Sequence, residues 1–194
     1  ICGEIEGLVA AGYKEIVLTG IHISSYGIDF EEEAWQAGES KEALKAEGRH
    51  DYSGNSKLID LIERIHGIPG LERIRIGSLE PRIITEQFAS RLCGMEKVCP
   101  HFHLSLQSGC DSVLKRMNRR YTCGEYYEKV EILRKYFDHV AITTDIITGF
   151  PGETDEEFAE TVAFVEKVNF YETHIFKYSK RQGTIAAGMD GQLT

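Results

Sequence analysis
Residues able to hold a small polar ligand recur at five places in the sequence, each at the end of a β-branched run. They are Thr19-Gly20-Ile21-His22, Gly77-Ser78-Leu79-Glu80-Pro81, Ser105-Leu106-Gln107-Ser108-Gly109, Asp145 ahead of Thr148-Gly149-Phe150-Pro151-Gly152-Glu153, and Lys177-Tyr178-Ser179-Lys180. Glycine lets a backbone approach a ligand closely, while Gln, Ser, Asp and Glu supply the few placed hydrogen bonds that orient it. One such stretch is ordinary turn chemistry. Five in succession point to a shared pocket.

A basic stretch, Leu114-Lys115-Arg116-Met117-Asn118-Arg119-Arg120-Tyr121, carries four cations and no acid. It follows the third polar stretch, so an arginine there could clamp a carboxylate or phosphate with two parallel hydrogen bonds. Lys115 and Arg116 read as a solvated helix face. For Arg119 and Arg120, at the break before the next helix, an anion clamp and a solvated surface stand level.

Metal and nucleophile chemistry find less support. Cys93, Cys99, Cys110 and Cys123 match no zinc or iron–sulfur spacing, and Cys2 stands alone. They read as structural thiols. His101 and His103 share a strand face, which reads as a polar edge, and no Ser/His/Asp set can be assigned. The sequence names no catalytic residue and no metal ligand.

Positioning these groups requires a scaffold of alternating strands and helices. Candidate strands are Glu15–Thr19, Arg73–Gly77, His101–Leu106, Val140–Ile147 and Thr173–Tyr178. Lys57–His66 gathers Leu58, Leu61, Ile62 and Ile65 on one face, with Gly67 at its end. Thr85–Leu92 follows, ending near Gly94. Thr122-Cys123-Gly124-Glu125 and Thr154-Asp155-Glu156-Glu157 are capping boxes. They open helices with apolar faces Tyr126, Val130, Leu133, Phe137 and Phe158, Val162, Val165, Val168. At the start, Ile5, Leu8 and Val9 share a helical face and Gly12 can end the helix. Such alternation with short connections predicts right-handed parallel βα units, a barrel or a doubly wound sheet.

One segment breaks the rhythm. The region at about 27–56 shows no strand pattern, and Asp29–Asp51 holds eight acids against three bases. It reads as an acidic insertion, with a surface helix over 34–46 as its one candidate element. Residue 1 is Ile, with a helix already under way, so the sequence is expected to be a piece of something longer.

Composition narrows the class. At 194 residues and 42% hydrophobic content the chain can bury one sizeable core. A net charge of −9 excludes a generally basic nucleic-acid binder but not a local basic patch. No apolar run approaches the roughly 18 residues a membrane helix needs. An odd cysteine count suggests free thiols in a reducing compartment, so a cytoplasmic location without membrane association is expected.

The run from His103 to Asp111, continued by Leu114–Tyr121, resembles the radical SAM methylthiotransferases. So do Thr144–Thr154, Ile16–His22, Ile76–Pro81 and Phe176–Thr184, in family order across nearly the whole chain. The Gln-Ser-Gly-Cys-Asp and Gly-Ile-His forms look closest to the branch acting on threonylcarbamoyl-adenosine in tRNA. The isopentenyl-adenosine branch is next, and the ribosomal-protein branch fits less well. The resemblance implies a partial, open (β/α)6 barrel of the TIM type, lacking its first strand and cluster loop. It also implies S-adenosylmethionine (SAM) and [4Fe–4S] clusters as cofactors of the parent protein. Its partners would be tRNA and an electron donor such as flavodoxin or ferredoxin. By position, Thr19 and Gly20 would approach the methionine amino end of SAM. Ser78, Glu80 and Gln107 would line its pocket, and Arg120 would pair with its carboxylate. Asp145 would bond a polar group of SAM or substrate, and Gly149 would admit the adenine. The family's C-x3-C-x2-C loop is absent from these residues, and Lys177 stands where the family usually has Pro. This stretch alone is therefore expected to be inactive. The competing expectation is a cluster-less barrel that binds RNA or protein through residues 115–120 and the acidic insertion. A barrel enzyme using strand-end carboxylates as acid and base comes third.

Overall fold
Among the described residues five strands form one sheet in which each strand pairs, parallel, with its neighbours in sequence. They are β1 (Glu15–Leu18), β2 (Arg73–Leu79), β3 (Val98–Leu104), β4 (Ala141–Thr148) and β5 (Glu172–Lys177). The helices are α1 (Cys2–Ala10), α2 (Lys57–His66), α3 (Glu86–Cys93), α4 (Asp111–Arg116), α5 (Cys123–Tyr136) and α6 (Asp155–Val168). The computed structural model describes residues 1–20, 22–27 and 57–192. The acidic insertion beyond Gly27 and the helix expected over 34–46 lie outside the described residues.

Strand order separates the two expected architectures. A doubly wound sheet reverses direction at a switch point and so places helices on both faces. Here the order never reverses, and right-handed crossovers in one direction put the connecting helices among the described residues, α2, α3, α5 and α6, on the same side. The result is a barrel wall with an outer helical layer and an inner, lumen face.

Alternation along each strand sorts side chains between these faces. Ile74, Ile76, Phe102, Leu104, Ile142 and Ile146 go outward into the core shared with the helices. There α2 contributes Leu58, Ile62 and Ile65, and α5 contributes Tyr126, Val130 and Leu133, all essentially inaccessible. Each buried aliphatic or aromatic side chain contributes about 1.5–3 kcal/mol relative to exposure. Phe137 meets Phe102 edge-on at 4.9 Å between ring centroids, tying the end of α5 to β3.

Both capping boxes form as the sequence predicts, with Thr122 and Thr154 accepting from the backbone of Glu125 and Glu157. Thr85 caps α3 in the same way. Asn169 ends α6 in the left-handed conformation at φ +54°.

Four expectations need correction. β3 begins at Val98, not His101, and runs through Pro100; a register shift against β2 between Ile74 and Ile76 accommodates the residue without an N–H. The helix read for Lys115 and Arg116 is the short α4, and Arg116 is not on its solvated side but faces Glu157. Leu8 is exposed, because α1 buries little beyond Ile5. Phe158 and Val162 are also exposed, at 44% and 43%, because α6 turns Thr161 inward instead.

Candidate functional site
All five carboxyl ends of the parallel strands lie on one side of the sheet, where ligands bind in parallel α/β folds. The predicted site residues fall there in two groups.

The first group spans β1 and β2. Thr19 and Gly20 follow β1 directly and are exposed. Gly77 explains how closely the two strand ends approach: a Cβ on it would lie 3.0 Å from Thr19 Oγ1 and 3.2 Å from the Leu18 carbonyl oxygen. Ser78 is exposed near the end of β2. Glu80, just beyond, is held on three sides. Arg82 Nε donates to its Oε1 at 2.8 Å, and its Oε2 lies 3.1 Å from His22 Nε2. Its backbone N–H donates to Ser24 Oγ at 3.1 Å. A carboxylate with about four acceptor positions keeps capacity for a cationic ligand group beyond these contacts.

The second group spans β3 and β4. Gln107 is 9% exposed and adopts φ +75°, a conformation that costs a non-glycine residue strain. Backbone bonds clamp it against β4: Gln107 N–H donates to the Asp145 carbonyl at 2.9 Å, and Ile147 N–H donates to the Gln107 carbonyl at 2.8 Å. Asp145 is half-buried on the lumen face, its Oδ2 3.4 Å from His103 Nε2. Gly149 takes φ +72°, and its N–H donates to Glu153 Oε2.

Arg120 belongs to neither group. It is exposed, as is Arg119, between α4 and α5. Arg116 departs from its solvated reading. Its Nη1 and Nη2 donate to Glu157 Oε1 and Oε2 at 2.8 and 2.5 Å, and this bidentate bond holds the Glu157 carboxyl down at about 2. Lys115 is exposed, as expected.

The residues that hold the β3–α4 loop went unnoticed in the sequence. Tyr121 OH donates to the carbonyls of Ser105 and Leu106 at 2.7 and 3.0 Å, and Tyr126 OH donates to that of Leu104 at 3.0 Å. Burial pushes the Tyr121 phenol up to about 12 and the Tyr126 phenol further, so both remain donors. Thr144 Oγ1 donates to Leu104 O at 2.6 Å and accepts from Leu106 N–H at 3.0 Å. Thr161 on α6 accepts from Gly109 N–H at 3.2 Å and lies 3.1 Å from Ser108 Oγ. Only register and helix placement assemble this set. The one sequence signal was an unexplained threonine within an apolar helix face.

The donor set suits SAM. An acid, hydroxyls and an amide at strand ends complement an ammonium and ribose hydroxyls, while Arg120 lies outside both groups. An iron–sulfur cluster is another matter. Among the described residues no metal-spaced grouping includes a cysteine. Nor is any described helix long and apolar enough to cross a membrane.

Comparison with known proteins agrees with this geometry. The chain is 39% identical over 193 residues to the tRNA-2-methylthio-N(6)-dimethylallyladenosine synthase of Thermoanaerobacter sp. (strain X514), covering 100% of the chain and 36% of that protein. It is 41% identical over 190 residues to the threonylcarbamoyladenosine tRNA methylthiotransferase MtaB of Bacillus subtilis (strain 168), covering 98% and 37%. The chain thus spans little more than a third of either relative, and the two branches stand level. Among solved structures, coproporphyrinogen III oxidase (HemN) from Escherichia coli, a radical SAM enzyme, superposes with a TM-score of 0.58 at 20% identity. That match covers 70% of this chain and 31% of HemN. Residues 3–165 match the radical SAM superfamily, and the chain belongs to it.

Proposed function
We propose that these residues are the SAM-binding core of a tRNA methylthiotransferase that modifies an adenosine beside the anticodon. The reading is supported chiefly by the gathering of the expected polar residues at the carboxyl ends of consecutive parallel strands, with Glu80 and Gln107 each fixed by hydrogen bonds. Similarity over the whole chain to two tRNA-modifying branches supports the substrate class. The parent protein would work in the cytoplasm with an electron donor such as flavodoxin or ferredoxin.

SAM, when bound, supplies the radical chemistry. The chain's own task is to bind and orient it. Glu80 accepts from the ammonium group, with Thr19 and the Gly20 backbone beside it. Ser78 and Gln107 give further hydrogen bonds, and Arg120 pairs with the carboxylate. Gly149 leaves room for the adenine, and Asp145 accepts from a polar group of SAM or substrate. Because the thiols here do not converge, this stretch alone carries no cluster.

The test is equilibrium SAM binding by the full-length parent protein. Glu80→Gln and Arg120→Ala should each weaken binding at least ten-fold, with the melting temperature unchanged for Arg120→Ala. Unchanged affinity in both variants would refute the site. Anaerobic iron–sulfide reconstitution of the 194-residue chain should give no stoichiometric [4Fe–4S] signal, and a cysteine-ligated cluster at full occupancy would refute the inactivity. Exposed Arg119 and Arg120 favour one competing reading, a non-catalytic RNA-binding module. It would take over if the parent bound RNA through these arginines but never bound SAM.

A further inference from the structure
Three side chains of metal-ligand type meet on the lumen face, each from a different strand. Register brings them together: His103 on β3 lies opposite Thr143 on β4, and Asp145, two residues on, lies opposite His174 on β5. The two-residue period of a strand puts Thr143 and Asp145 on one face. One ligand atom from each of His103, Asp145 and His174 lies within 4.8 Å of the other two. The imidazoles of His103 and His174 stack with centroids 6.1 Å apart.

The ordinary explanation is a His–Asp ion pair, but the contact is a long one and does not account for the convergence of His174. His103 Nε2 and Asp145 Oδ2 are 3.4 Å apart, whereas a charge-assisted N–H···O bond closes to about 2.7–2.9 Å. Two ligands on a tetrahedral metal with bonds of about 2.0–2.1 Å are separated by about 3.3–3.4 Å. Octahedral neighbours at the same bond length would be closer, at about 2.8–3.0 Å.

A second observation concerns the other ring nitrogen. His103 Nδ1 lies 3.0 Å from Thr143 Oγ1. With Nδ1–H donated to that hydroxyl, Nε2 keeps the lone pair a metal requires, and its direction is fixed. Metal-binding histidines are oriented in this way by outer partners. Glu172 Oε1, 3.9 Å from His174 Nδ1, adds a further negative charge beside the set.

We infer that His103, Asp145 and His174 form a binding site for a first-row divalent cation of the zinc type. Two imidazoles and one carboxylate suit such an ion, and three protein ligands leave a fourth position open toward the lumen. The site shares Asp145 with the proposed contact to SAM or substrate, but its test needs neither.

Cobalt(II), titrated without SAM into the metal-free chain, tests it by visible absorption. The expected result is one equivalent bound with the d–d bands of a four-coordinate complex, displaced by zinc. Asp145→Asn and His174→Gln should each lower the affinity at least ten-fold, and Thr143→Val by about ten-fold through loss of the orienting hydroxyl. His174 is exposed on an edge strand, so its variant keeps the fold, which circular dichroism checks. Absence of binding would overturn the site. So would thiolate charge-transfer bands, or wild-type affinity in both Asp145→Asn and His174→Gln.

Discussion

Gly109 rests directly on Thr161: its N–H donates to Thr161 Oγ1 at 3.2 Å, and a Cβ on Gly109 would lie 2.9 Å from Thr161 Cα. The loop leaving β3 is thereby seated on the backbone of α6, with no room for a methyl group. A Cβ there would also meet Phe164 Cβ at 2.8 Å. Gly109→Ala must push the loop and α6 apart, which costs about 1–3 kcal/mol for overpacking a close contact. Urea unfolding of the variant should show that loss, and a midpoint equal to wild type would disprove the close approach.

Tyr121→Phe tests the same loop from the opposite side. The hydroxyl serves two carbonyls, those of Ser105 and Leu106, and the side chain is buried. Removing it leaves acceptors without their donor at a cost of about 1–3 kcal/mol. In the parent protein the loop carrying Gln107 should also loosen, raising the dissociation constant for SAM. Thermal unfolding and equilibrium binding report the two effects separately, and a variant unchanged in both would rule out a positioning role.

The Arg116–Glu157 pair gives a pH signature. Glu157 has its carboxyl lowered from 4.5 to about 2, chiefly by hydrogen bonds from Arg116. A depressed acid stabilises the fold above its unfolded pKa, and that contribution fades as pH falls from about 4.5 toward 2. Both side chains are partly exposed, so water and salt screen the pair and its worth is about 1 kcal/mol. Arg116→Ala should lower stability by that amount at pH 7 and flatten the decline of stability below pH 4.5. Denaturant midpoints measured at pH 7, 4 and 3 check it; identical slopes in both proteins would remove Glu157 from the acid limb.

Much of the scaffold was legible because it rests on local chemistry. The bounds of Lys57–His66, the caps at Thr122 and Thr154, and the five strands all follow from periodicity and side-chain capping within a few residues. What could not be read depends on partners distant in sequence. Arg116 reads as a solvated helix residue until α6 brings Glu157 beside it. Thr161 lies between the apolar positions of α6, and its role shows only once the β3–α4 loop settles on it. The apolar signal at Phe158 and Val162 misled for the same reason, since the buried side of α6 follows Thr161. His103, Asp145 and His174 sit on three strands, and their meeting is a property of β-sheet register alone.

Neighbour-only strand pairing also fixes an order of assembly. Leu79 is separated from Val98 by 18 residues, but Leu18 is separated from Arg73 by 54. Loop-closure entropy makes the longer span about 1 kcal/mol more costly to close than the shorter. The β2–α3–β3 unit can therefore condense early, extend through β4 and β5, and receive β1 last. Thr19 and Gly20 would then arrive after the rest of the strand ends are in place, and the ligand side of the barrel would be the final part of the molecule to mature.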